Sequence, residues 1–250
     1  MNVREKNIGK KKYNNNGSLM IIVEYRNSND IDVYFPKYGY TSKSTTSKTF
    51  REGYVICPFD KIHYGVAYDG MGKYTQKNDK LAYQKWNGML NRALSDKTKE
   101  KYPTYKDCTI CDEWLNFQNF AEWFYNNYYE VEGEQMNLDK DILVKGNKMY
   151  SPNTCVFVPK RINVLFVKRD SLRGCYPIGV YFDKSKNKFR TSFSINGNKI
   201  KKSFNTVEDT FYYYKKEKEK YIKEVADEYK DRIPQKLYEA LYKYEVEITD

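Results

Sequence analysis

Long apolar runs are missing from this sequence. None reaches the roughly 18 residues that a membrane-spanning helix needs, and the first residues are basic and Asn-rich rather than hydrophobic like a secretion signal. Both absences point to a soluble protein of the cytoplasm. Histidine occurs once, at His63, so no histidine stands near a cysteine pair to complete a zinc set. Cysteine is sparse and odd in number, five in 250 residues, which fits a reducing compartment better than a disulfide scaffold. Acid is the scarcer charge: 33 Asp+Glu face 44 Lys+Arg, a formal net charge of +11. That balance suits a polyanionic partner. Low-GC coding also enriches Lys, Asn and Tyr, so the 26 tyrosines carry less meaning than their number suggests.

What is present is most legible between residues 176 and 216, YPIGVYFDKSKNKFRTSFSINGNKIKKSFNTVEDTFYYYKK. Gly179-Val180-Tyr181-Phe182 reads as a strand, followed by a polar turn over 183–188. In the next strand Phe189, Thr191, Phe193 and Ile195 alternate with Arg190, Ser192 and Ser194. Asn196-Gly197 signals a two-residue hairpin, because a primed turn needs positive φ at both central positions. Residues 199–204 complete a meander, and Asn205-Thr206-Val207-Glu208-Asp209 supplies a cap and first-turn acids for a helix. From 176 to 204 seven cations (Lys184, Lys186, Lys188, Arg190, Lys199, Lys201, Lys202) stand against Asp183 alone. A small sheet with one cationic face and one apolar face closed by a helix suits a nucleic-acid backbone.

The pattern G-V-Y…K-F-R-T…I-N-G…F-N-T-x-E resembles the plant ethylene-response-factor (Apetala-type) DNA-binding domain, versions of which occur beside phage nucleases. The resemblance implies a sheet lying in the major groove of double-stranded DNA. By position its contacting residues are Tyr181, Lys188, Arg190, Lys199 and Lys201, while Lys184 and Lys202 add charge. Phe189 stands where the family usually has Trp.

The rest of the chain reads as further modules of an α+β, multi-module protein. Residues 1–17 are expected as a flexible basic arm. Residues 18–75 are expected as a small antiparallel β-module, with strands at 20–25, 31–35 and 49–55 and a Ser/Thr/Lys separator at 41–49. Its wording, SLMIIVEYRNSNDIDVYFP…FREGYVICPFDK…YGV, resembles the N-terminal module of phage proteins described as HNH or homing endonucleases. Residues 76–172 are expected as a helical region. Its first helix, 80–96, carries an apolar stripe of Leu81, Trp86, Met89, Leu90 and Leu94. Its second, 112–129, carries Trp114, Phe117, Phe120, Ala121 and Phe124 at helical spacing. Between 112 and 134 there are six acids and no bases, so this segment is expected to face away from DNA or toward a basic protein. Residues 173–232 are expected as the Apetala-like module that the resemblance implies, and 233–250 as a terminal helix after the break at Pro234.

Residues 136–166, MNLDKDILVKGNKMYSPNTCVFVPKRINVLF, resemble the ββα-metal (HNH) finger: an Asp-bearing strand, a loop with Asn, a second strand and a helix ending in Asn. The resemblance implies that Asp139 and Asn163 hold a divalent cation, Mg²⁺ or Mn²⁺, against a scissile phosphate, with Asn153 as the central Asn. The general-base histidine is replaced by Lys140. An ordinary Lys has a pKa near 10.4, so it is protonated at neutral pH unless burial lowers it. Asp141, two residues from Asp139, shares its face if the strand continues, and the pair offers a second ligand or base. Two alternatives follow: a finger that nicks or cuts duplex DNA, or one that keeps the fold and has lost cleavage. Cys108 and Cys111 have the spacing of half a zinc site, with Cys155 as the one third thiolate in range, and read as packing.

Three functions are open at this point. The first is a phage-encoded or mobile-element endonuclease of the homing type. The second is a silent HNH-like scaffold acting as a DNA-binding regulator. The third is a counter-defence, anti-CRISPR-like inhibitor of a host nuclease complex, acting in the bacterial host cell.

Overall fold

The computed structural model describes residues 2–167, 175–195 and 197–250. In chain order the elements begin with α1 (Val3–Asn7), β1 (Lys11–Tyr13), β2 (Leu19–Asn27), β3 (Asp30–Phe35), β4 (Tyr40–Thr45) and α2 (Ser47–Glu52). The middle of the chain supplies α3 (Lys80–Leu94), α4 (Asp96–Lys101), β5 (Thr109–Ile110), α5 (Phe117–Asn127), β6 (Met136–Asp139), β7 (Met149–Tyr150), β8 (Val156–Pro159) and α6 (Lys160–Asn163). Last come β9 (Tyr181–Asp183), β10 (Lys188–Ile195), β11 (Asn198–Phe204), α7 (Val207–Tyr229) and α8 (Gln235–Lys243). This is an α+β chain, and none of its described helices is long and apolar enough to cross a membrane. It divides into two compact units, one made of Met1–Asn126 with Met149–Ser151, the other of Asn127–Lys148 with Pro152–Asp250. The sequence boundaries drawn at 17/18 and 75/76 both fall inside the first unit.

The first unit opens with the antiparallel meander β1-β2-β3-β4. Alternation in β3 turns Ile31, Val33 and Phe35 inward, where they meet Met20, Ile22, Phe50, Val55 and Cys57. The segment expected as a loose arm is ordered instead. Asn2 and Glu5 form a capping box on α1, and β1 pairs with β2 through Lys11↔Ile21 and Tyr13↔Leu19. A buried carboxylate fixes this segment. Asp60 accepts from Asn14 Nδ2 at 2.6 Å and from the Ser18 hydroxyl, while Asn14 Oδ1 accepts the Ser18 N–H at 2.8 Å.

Two local expectations are corrected here. The tract at 41–49 contains β4, which pairs with β3 through Phe35↔Tyr40 and Val33↔Ser42. Residues 49–52, expected as strand, belong to α2. The Thr46 hydroxyl accepts the Thr49 N–H at 3.0 Å, and Gly53 ends the helix at φ 80°, so local capping overrides the β-propensity of the Thr residues. Phe50 is the side chain α2 buries.

In α3 the buried stripe is Ala82, Tyr83, Trp86, Met89, Leu90 and Ala93, whereas Leu81 is 38 % exposed. The second expected helix starts later than its periodicity suggested. Residues Asp112–Leu115 form a 3₁₀ turn, and the chain then pairs briefly with Tyr68: its N–H donates to the Leu115 carbonyl and its carbonyl accepts from the Phe117 N–H. Only after that break does α5 run, with Phe117, Phe120, Ala121 and Phe124 buried. Trp86 Nε1 donates to the Trp114 carbonyl at 2.7 Å, which satisfies a buried indole.

In the second unit, β6 pairs antiparallel with β8, from Met136↔Pro159 to Asp139↔Val156, and α6 follows β8 directly. The C-terminal sheet is the meander β11-β10-β9. Its inner face packs on α7 around Val180, Phe211, Tyr214 and Val246, with Phe189 and Phe193 against that cluster. Thr206 caps α7 by accepting the Asp209 N–H at 3.1 Å. Gly179 has no substitute here: its φ is 78°, and a Cβ would lie 2.3 Å from the Tyr214 ring. Asn196 lies outside the described residues, but Ile195↔Asn198 is the last pair before a two-residue connection, with Gly197 at φ 79°.

Candidate functional site

Register decides which side chains the C-terminal sheet shows on the face turned away from α7. Antiparallel partners share a face. Arg190 opposes Tyr181 on one side and Ser203 on the other; Ser192 opposes Lys201, Ser194 opposes Lys199, and Lys188 opposes Asp183. The outer face therefore carries Tyr181, Asp183, Lys188, Arg190, Lys199 and Lys201, with the short hydroxyl side chains Ser192, Ser194 and Ser203 between them. Four cations against one acid leave this face at +3. Tyr181 is 38 % exposed, and Lys199 and Lys201 are exposed.

Lys202 does not belong to this set. It opposes Thr191, which is fully buried toward the helix, so Lys202 leaves the edge strand β11 on the opposite side. Period-two alternation in 198–204 contained that distinction, and counting charge without face obscured it. Lys184 lies in the exposed turn between β9 and β10, where Asn187 adopts φ 48°. Lys188 donates to the Asn205 side chain.

Arg190 is held by a neighbour. Its Nη1 donates to Asp183 Oδ2, and the two side chains are 16 % and 15 % exposed. Asp183 also accepts the Ser185 hydroxyl at 2.6 Å and the Ser185 N–H at 3.0 Å through Oδ1. The Ser185 bonds and the Arg190 guanidinium hold the Asp183 carboxyl down at about 2.

The residues assigned to the metal finger are arranged differently from the expectation. β6 ends at Asp139, so Asp141 reaches its neighbour through a turn and not through strand alternation. Asp139 Oδ1 accepts two backbone N–H groups, from Asp141 at 2.9 Å and Ile142 at 2.8 Å. Burial and the adjacent Asp141 charge push its carboxyl up to about 6. Lys140 is only 6 % exposed, and its ammonium lies 3.4 Å from Asp141 Oδ2. Asn153 is exposed in the turn before β8, and Asn163 ends α6.

The Lys140 ammonium stands against Asp141, and one oxygen of Asp139 is committed to closing the turn. Among the described residues no group of three or more His, Cys, Asp or Glu side chains is placed to hold a metal ion. In the first unit, Cys108 is buried with its thiol 3.8 Å from the Thr104 carbonyl. Burial pushes the Cys111 thiol up.

Sequence reading passed over one cluster. His63 Nε2 lies 3.0 Å from Asp69 Oδ1, and the Tyr83 hydroxyl lies 3.3 Å from that nitrogen. The His63 ring meets Trp86 edge-on at 4.9 Å. Nothing in the local sequence links 63, 69 and 83; the fold brings them together. The cluster ties the 57–70 loop to α3.

No protein-family model, curated protein or solved structure matches this chain.

Proposed function

We propose that the chain binds double-stranded DNA through the outer face of its C-terminal sheet. One observation carries the reading: Lys188, Arg190, Lys199 and Lys201 share that face with Tyr181 by strand register, while the other face is committed to α7. Cations spaced along neighbouring strands match a phosphate backbone, and the serines between them keep the surface low enough for close approach. Arg190 and Tyr181 supply a planar donor and an aromatic for contacts beyond charge.

The 136–166 segment acts in this reading as a scaffold without cleavage. The support is the buried Lys140 beside Asp141 and the turn-closing role of Asp139. The protein is then a DNA-binding regulator rather than a nuclease.

Titration of a labelled duplex at several salt concentrations tests the binding. Lys199→Ala with Lys201→Ala is expected to weaken binding and to make the slope of log K against log salt shallower by about two. Lys202→Ala is expected to change that slope less. Equal loss from all three positions would show that overall charge, not this face, makes the contact. Plasmid incubated with Mg²⁺ or Mn²⁺ is expected to stay intact. Nicking that disappears in Asp139→Ala would instead establish the cleaving alternative.

A further inference from the structure

We infer that Asp183 is an internal stand-in for a backbone phosphate, occupying Arg190 on the binding face until DNA displaces it. The inference rests on the DNA-binding reading above and adds a residue that restrains it. Between 176 and 204 Asp183 is the single acid, and the register Lys188↔Asp183 puts it on the same face as the four cations. A carboxylate and a phosphate offer a guanidinium similar acceptor geometry, so one can substitute for the other.

Two details favour exchange over a permanent ion pair. Asp183 is anchored without Arg190, because its Oδ1 takes both donors of Ser185 in the β9–β10 turn. When the arginine leaves, the carboxylate stays where it is and remains solvated by its own turn. Arg190, for its part, is incompletely satisfied in the pair: its Nε is buried and has no hydrogen-bond partner. A buried guanidinium donor left unbonded carries a desolvation penalty. Moving out to a phosphate or a guanine edge lets the fork bond through two donors at once. The consequence is a face tuned below its maximum affinity, with Arg190 released only where an acceptor competes well.

The test is a double-mutant cycle on duplex affinity, with Asp183→Asn, Arg190→Gln and the combination titrated at several salt concentrations. An asparagine oxygen can still accept from Ser185, so the turn is preserved. Asp183→Asn is expected to tighten binding about three- to fivefold at low salt, the effect of one charge at close range in water, and to steepen the salt slope by about one. In the Arg190→Gln background the gain should be smaller, since no arginine is there to be freed. Asp183→Asn binding no tighter than the parent, or gaining equally in both backgrounds, would overturn the inference. If that variant unfolds, Asp183→Ser gives the same comparison, because its hydroxyl also accepts locally. Lys199→Ala with Lys201→Ala runs alongside. If this pair leaves affinity unchanged, the DNA-binding reading itself fails, whereas normal weakening with no gain from Asp183→Asn overturns the stand-in alone.

Discussion

Asp139→Asn separates a turn-closing carboxylate from a metal ligand. The Asp139 oxygen that accepts from Asp141 and Ile142 at 2.9 and 2.8 Å can be reproduced by an amide oxygen, so the turn survives the change. What the variant removes is a carboxyl raised to about 6 by burial and by Asp141. A folded-state pKa above the unfolded value means the folded form holds its proton more tightly. The resulting stability is present at low pH and is lost as pH rises between about 4 and 6. A shift of about two units corresponds to roughly 3 kcal/mol at most. Asp139→Asn is therefore expected to stabilise the protein by about 1–3 kcal/mol at neutral pH and to flatten its stability between about pH 4 and 6. The three tryptophans, Trp86, Trp114 and Trp123, all lie in the first unit. Far-UV circular dichroism with amide exchange of β6 and β8 is the appropriate readout for the second. A variant less stable than the parent at neutral pH would refute the reasoning. So would millimolar Mg²⁺ stabilising the parent but not the variant, since Asp139 would then be ligating.

Asp60→Ala leaves Asn14 and Ser18 buried without their acceptor and is expected to cost about 2–4 kcal/mol, read by tryptophan fluorescence during denaturant unfolding of the first unit. Asp60→Asn, which keeps one acceptor, should cost less. Gly179→Ala must meet both a φ of 78° and a Cβ position 2.3 Å from the Tyr214 ring, whereas Gly197→Ala has a φ of 79° with nothing within 4 Å. The second substitution is expected to cost about 1–2 kcal/mol, and the first at least about 2 kcal/mol more. Equal costs at both positions would show that Tyr214 gives way without penalty.

The C-terminal meander was legible because its determinants are local. Alternation in 189–195, glycine at 197 and the Thr206 cap each act within a few residues, and β10, β11 and α7 follow them. The aromatic stripe of α5 was legible for the same reason, through its 3.6-residue period. Elsewhere long-range partners overrode local signals. Residues 1–17 look like a solvated arm until Asp60, more than 40 residues away in sequence, collects Asn14 and Ser18. At 49–52 the override is itself local: capping at Thr46 and Gly53 makes α2 where a strand was expected.

The sequence alone determined the charge inventory and the strand phase, because composition and period-two alternation need no partner. Whether a given charge is free to act was decided by the tertiary structure. Asp183 lies seven residues from Arg190, yet only the β9–β10 register lays its carboxylate against the guanidinium. The sequence leaves the burial of Lys140 undecided, and packing buries it beside Asp141. Electrostatic roles depend on distance and burial, and both are properties of the folded chain.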